Sequence, residues 1–180
     1  MRVLFSFAHP DDESFCGAGL ACWCRDRGAD VVLVCATRGD AGKAGAPEVS
    51  GAPADVGAAR ARELEDAVGI LGITGVRLLE YRDGQLAGAD SRWCPEAGPA
   101  HQVRRLLWTL PVPPWTAPRS RNLEEEPGVD FVIDISRWRD RKARALRAHR
   151  TQHGSIDRHA ARPSSDIFDG LVEEAGAGAS

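Results

Sequence analysis

Two near-continuous apolar runs, Val3-Leu4-Phe5-Ser6-Phe7 and residues 31–36, flank a stretch from 14 to 27 that reads as a helix closed by Gly28. Fully apolar strands joined by one helix predict a right-handed βαβ unit in a parallel sheet. A second helix is expected from Asp55 to about Leu71, with Ala61, Leu64, Val68 and Leu71 on one face and Gly72 beyond its end. A short strand at 76–79 follows, and 103–110 offers another before Pro111, Pro113, Pro114 and Pro118 make the chain irregular. Val129, Phe131, Ile133 and Ile135 alternate with polar positions as a strand does. Ser136 then opens a basic helix to about Arg150, with Trp138, Ala145 and His149 on its inward face. His149 is expected to pack there or to bond a backbone group.

The pattern gives an α/β class, a Rossmann-like three-layer sandwich with a mostly parallel sheet. At 180 residues it predicts one domain over 1–160 and a flexible tail over 161–180, which is polar and ends Glu-Glu-Ala-Gly-Ala-Gly-Ala-Ser. The charge of −3, from 23 basic and 26 acidic residues, gives no general attraction to nucleic acid or an anionic membrane. The run 3–8 is too short for a secretory core, and no stretch approaches the roughly 20 apolar residues of a membrane span, so a cytoplasmic location is expected. Five cysteines without paired C-x-x-C spacing suggest buried thiols rather than disulfides or a zinc knuckle.

The chemistry concentrates after the first strand, in Ala8-His9-Pro10-Asp11-Asp12-Glu13. In an open α/β sheet, a loop at the C-terminal end of a strand opens into the crevice where ligands bind. His9 can give a divalent metal a neutral nitrogen and one aspartate an oxygen, leaving the other aspartate as a base toward water. Thr37-Arg38-Gly39-Asp40 and Tyr81-Arg82-Asp83-Gly84 fall at the ends of the next two strands, on the same edge. Residues 39–43 lack P-loop spacing, because Thr37 stands where the first glycine is needed.

These segments, with Arg60-x-x-Glu63, Leu71-Gly72-Ile73 and the closing Lys142-Ala143-Arg144-Ala145-Leu146-Arg147-Ala148-His149-Arg150-Thr151-Gln152, resemble the LmbE-like (PIG-L) deacetylases. The likeness runs over about 1–90 and 100–160. It implies a zinc-dependent hydrolase that removes acetyl or acyl groups from N-acylated glucosamine conjugates, a small-molecule substrate. It further implies His9 and Asp12 as zinc ligands, Asp11 as general base, and Arg60 and Asp83 as residues that hold sugar hydroxyls. Against that role for Arg60 stands the commoner fate of an Arg-x-x-Glu pair, a solvated ion pair on a helix.

The chain departs from the family in lacking a His-Pro-Asp-His string, which in that family carries the third zinc ligand and an oxyanion-stabilising histidine. One alignment makes Gly98-Pro99-Ala100-His101 its remnant, with His101 as third ligand. The other, favoured because 87–97 hold no apolar run, has a central strand and its metal-binding loop missing between about Ala87 and Gly98. Two functional readings follow: a hydrolase whose third ligand comes from His101 or a partner chain, or a family relic that binds without catalysis. Loss of a strand also leaves homo-oligomer formation open, through exposed apolar surface.

Overall fold

The computed structural model describes residues 1–41, 53–84, 107–110, 131–153 and 168–173. In chain order the elements are β1 (Arg2–Phe7), a π turn (Glu13–Gly17), α1 (Ala18–Asp26), β2 (Asp30–Thr37), α2 (Pro53–Leu71) and β3 (Gly75–Tyr81). They continue with β4 (Leu107–Leu110), β5 (Phe131–Asp134), a 3₁₀ turn (Ser136–Trp138), α3 (Arg139–Ala148), a second 3₁₀ turn (Arg150–Gln152) and β6 (Phe168–Glu173). The first three strands pair in parallel in the order β1-β2-β3, as the apolar runs predict.

Helix ends fall where the sequence places glycine. Gly28 and Gly72 sit at φ +74° and +76°, and the residue after each donates its N–H back to Cys24 and Val68 respectively. That six-to-one bond closes the last turn as a Schellman cap, which favours glycine because a Cβ is strained at positive φ. The opening of α3 differs from expectation. The Ser136 side chain does not cap it; the Asp134 carboxylate instead accepts both the Ser136 N–H (2.8 Å) and its hydroxyl.

The core has two parts, and α1 serves both. Leu20, Ala21 and Cys24 press on the sheet face that carries Phe5, Val31, Leu33 and Cys35, joined by Leu64 and Val68 of α2. Ala18 and Cys22 look the other way, toward Ala67, Leu71, Ile135, Trp138 and Ala145. Cys22 and Cys24 thus face different sides, as residues two apart on a helix do. Trp138, Ala145 and His149 are all buried, as their shared helix face predicts. Leu4, on the opposite sheet face, is 65% exposed, and no described helix covers that face.

The strand expected near 129–135 is present as β5, which pairs antiparallel with β6; β6 pairs antiparallel with β4, in a separate sheet of order β4-β6-β5. The stretch past 161, expected as a flexible tail, contributes Phe168–Glu173 as the middle strand of that sheet. Phe168, Leu171 and Val172 give it apolar content, and the ladder bonds on both sides satisfy its backbone. Residues 42–52 and 87–100, with His101, lie outside the described residues. No described helix is long and apolar enough to cross a membrane.

Candidate active site

The C-terminal ends of the three parallel strands bring the predicted residues together. Ala8 O, just past β1, accepts the Thr37 N–H and the Thr37 hydroxyl, both at 3.0 Å. That ties the first loop to the end of β2. Asp83, after β3, reaches across to His9, its Oδ1 accepting from Nε2 at 2.9 Å. A single π turn then leads from the loop into α1, a feature frequent at functional sites.

His9 and Asp12 face each other. Asp12 Oδ2 accepts the His9 backbone N–H at 3.0 Å and lies 3.6 Å from His9 Nδ1. A carboxylate oxygen only accepts, so the bond to Asp83 places a proton on Nε2, and in the neutral ring the lone pair is then on Nδ1, toward Asp12. Two ligands about 2.0–2.1 Å from a tetrahedral ion stand roughly 3.4 Å apart. The His9/Asp12 pair therefore fits one side of a zinc site, and Asp83, bonded to His9 Nε2, is placed to orient the ring. No group of three metal-ligating side chains occurs among the described residues. Cys35 is not a substitute: burial pushes its thiol up to about 12, and its Sγ–H points to His9 O at 3.7 Å.

Asp11 is held from two sides. Its φ of +120° is strained for a residue with a Cβ, at a cost of order 1–3 kcal/mol. Glu13 Oε2 accepts its N–H at 2.9 Å, and the Arg60 guanidinium stands 3.2 Å from its Oδ2. Burial lifts the Asp11 carboxyl to about 6, against the pull of Arg60. A carboxylate with an affinity for protons near that of its surroundings suits proton transfer at neutral pH.

Arg60 is only 4% exposed and is no solvated partner of Glu63. Besides Asp11, it donates to Pro10 O at 2.7 Å and Gly39 O at 2.9 Å, so it joins the two loops. Gly39 lets it in, because a Cβ there would stand 2.4 Å from the guanidinium. Glu63 is buried too, and accepts the Thr151 N–H (3.0 Å) and hydroxyl (2.7 Å), docking the last turn onto α2.

Sequence reasoning missed the partner of His149. The ring is fully buried, and its Nε2 bonds not a backbone group but Glu13 Oε1, at 2.7 Å. The available signal was an inward-facing histidine late in the chain and an acidic residue early in it. An open groove of about 430 Å³ between α2 and α3, walled by Asp66, Arg144, Arg147 and Arg150, contains none of these loop residues.

Comparison with known proteins identifies the family. Residues 4–150 match the PIG-L family, described as GlcNAc-PI de-N-acetylase. The chain belongs to that family. It is 30% identical to a probable N-acetyl-alpha-D-glucosaminyl L-malate deacetylase 2 of Bacillus subtilis, over 84% of this chain and 83% of the relative. That alignment spans 185 positions, more than the chain's 180 residues, so the relative carries residues opposite gaps here. Against a Frankia casuarinae 1D-myo-inositol 2-acetamido-2-deoxy-alpha-D-glucopyranoside deacetylase, identity is 36% over 59% of this chain and 35% of that protein. The chain spans about a third of the length of several such relatives.

Among solved structures, the fold is shared with the N,N'-diacetylchitobiose deacetylase of Pyrococcus horikoshii, with a TM-score of 0.63, 17% identity and coverage of 96% of this chain and 83% of that one. It is shared equally with the 4-carboxy-2-hydroxymuconate hydratase of Pseudomonas putida, at TM-score 0.68, 16% identity, and 99% and 98% coverage. A fold that hosts a deacetylase and a hydratase does not choose the reaction; the site has to.

Proposed function

We propose that this chain is a zinc-dependent hydrolase that removes an N-acetyl or N-acyl group from a glucosamine-type conjugate. The observation that carries the reading is Asp11: a strained, clamped carboxylate of raised pKa, next to a His/Asp pair spaced for a divalent ion. Family membership supports it, and the relatives' names point to amino-sugar conjugates of malate or inositol as the substrates to try.

His9 and Asp12 would hold the ion, which when bound polarises the amide carbonyl and acidifies a nearby water. The remaining ligand comes from outside the described residues, with His101 the candidate in this chain and a partner chain the other source. Asp11 takes the proton from water as the new carbon–oxygen bond forms. It returns that proton to the leaving nitrogen as the carbon–nitrogen bond breaks, releasing acetate and the free amine. Arg60 and Glu13 hold Asp11 for both transfers, and Asp83 holds His9 in the tautomer that frees Nδ1. Because Asp83 is bonded to His9 and Arg60 to the loops, sugar hydroxyls would be met by other groups, or by Asp83 after it turns from His9.

The reading of the chain as a non-catalytic relic has no support in the comparisons, where deacetylases recur, and Asp11 keeps Arg60 and Glu13 as buried partners. The test is acetate release from N-acetylglucosaminyl malate and inositol conjugates by zinc-loaded protein, beside metal-free protein and the His9→Ala and His101→Ala variants. Zinc-dependent turnover that disappears in His9→Ala is expected. A zinc-loaded wild type that releases nothing from any conjugate would overturn the proposal, and normal turnover in His101→Ala would exclude His101 as the third ligand.

A further inference from the structure

We propose that His149 is a positioning residue for Asp11, acting through Glu13. Its effect on catalysis rests on the hydrolase reading; the positioning itself rests on geometry. At φ +120° the Asp11 backbone needs restraint, and the Glu13 carboxylate supplies it by accepting the Asp11 N–H at 2.9 Å. Glu13 is itself held on its other oxygen, by His149 Nε2 at 2.7 Å and the Ser14 hydroxyl at 2.6 Å. Glu13 is 1% exposed and His149 0%.

Among the described residues the buried His149 Nδ1 has no hydrogen-bond partner, so the ring's polar contact there is with Glu13. A buried histidine–glutamate pair is a poor choice if stability were its only purpose, since apolar residues of similar volume commonly do as well or better. What the pair provides is an acceptor fixed at one point, under the amide of the strained residue. The ring is in turn fixed from behind. It ends α3, and its carbonyl accepts the Gln152 N–H at 2.9 Å. The last described α-helix therefore sets the geometry of the first loop, across 136 residues of sequence.

The experiment compares His149→Phe, His149→Gln and Thr151→Val in the full chain, by amide hydrogen exchange at Asp11 relative to Leu33 and by kcat and KM for acetate release. Thr151→Val weakens the same docked segment without touching Glu13, and so reports stability alone. In His149→Phe, exchange at Asp11 rises about tenfold or more with loss of the partner. Its kcat falls about a hundredfold from misplacement of the base, while KM stays within about twofold. His149→Gln, whose amide still reaches Glu13 as a donor, recovers most of both, and Thr151→Val keeps wild-type values in its folded fraction. If His149→Phe does not fold, His149→Asn, with an amide too short to reach, carries the same expectation. Equal behaviour of the His149 and Thr151 variants would overturn the proposal. A wild type that releases no acetate would sink the hydrolase reading alone, since exchange at Asp11 still decides whether His149 positions it.

Discussion

Arg60→Met separates a buried clamp from a surface ion pair. The guanidinium makes two bonds to main-chain oxygens, at 2.7 and 2.9 Å, and stands 3.2 Å from the Asp11 carboxylate, all nearly out of solvent. Bonds to a charged group contribute about 1.5–3 kcal/mol each, and one buried unpartnered donor costs about 1–3. Among the described residues Arg60 Nε is such a donor, and it offsets part of the gain. Methionine fills much of the space but leaves Pro10 O, Gly39 O and Asp11 without a cation. The expected loss is about 3–5 kcal/mol, the range for breaking a buried pair by removing one partner. For a domain of this size that lowers the melting temperature by roughly 6–20 °C. Circular-dichroism melts of Arg60→Met beside Arg62→Met, an exposed arginine on the same helix, make the comparison. Arg62→Met is expected within about 0.5 kcal/mol of wild type. Equal melting of the two variants would refute the clamp and return Arg60 to the solvated pairing usual for an Arg-x-x-Glu sequence.

Two further outcomes follow from burial and charge. Burial raises the Glu13 pKa, but His149 and Ser14 more than compensate, so the folded value lies below 4.5. A depressed folded pKa contributes stability that is present above the unfolded value and lost as pH falls through the folded one. Urea unfolding of wild type should therefore weaken below about pH 4.5 more steeply than that of Glu13→Gln; parallel curves would contradict the pairing. Cys35, its thiol pushed up to about 12 by burial and the neighbouring carboxylates, should resist iodoacetamide at pH 8 in the folded chain and react on unfolding. Labelling of Cys35 in native protein would mean that the strand ends are open to solvent.

The parts of the fold legible in the sequence are those governed by local pattern. The runs at 3–7 and 31–36, Gly28 and Gly72 as helix stops, and the inward face of α3 all follow from periodicity and backbone preference, and the structure repeats them. The sheet partners of β5 did not follow, because four alternating residues say that a strand exists and nothing about its neighbour. For β6 the polar company of Phe168–Glu173 hid a strand whose backbone is satisfied from both sides. At the site, His9, Asp11, Asp12 and Asp83 were visible as chemistry at strand ends. The roles of Arg60, Glu13 and His149 were not, because their partners are 50, 2 and 136 residues away and depend on burial. An Arg-x-x-Glu spacing on a helix reads the same whether it faces water or the loops; here Arg60 and Glu63 turn inward to different partners.

The most direct test of the central claim is the source of the oxygen in the product. Zinc-loaded wild type and Asp11→Asn would be given an N-acetylglucosaminyl conjugate in ¹⁸O-labelled water, and the released acetate weighed by mass spectrometry. Water attack assisted by Asp11 predicts one labelled oxygen per acetate from wild type, and a rate lower by about 10²–10⁴-fold in Asp11→Asn. Unlabelled acetate, or an Asp11→Asn variant as fast as wild type, would contradict it.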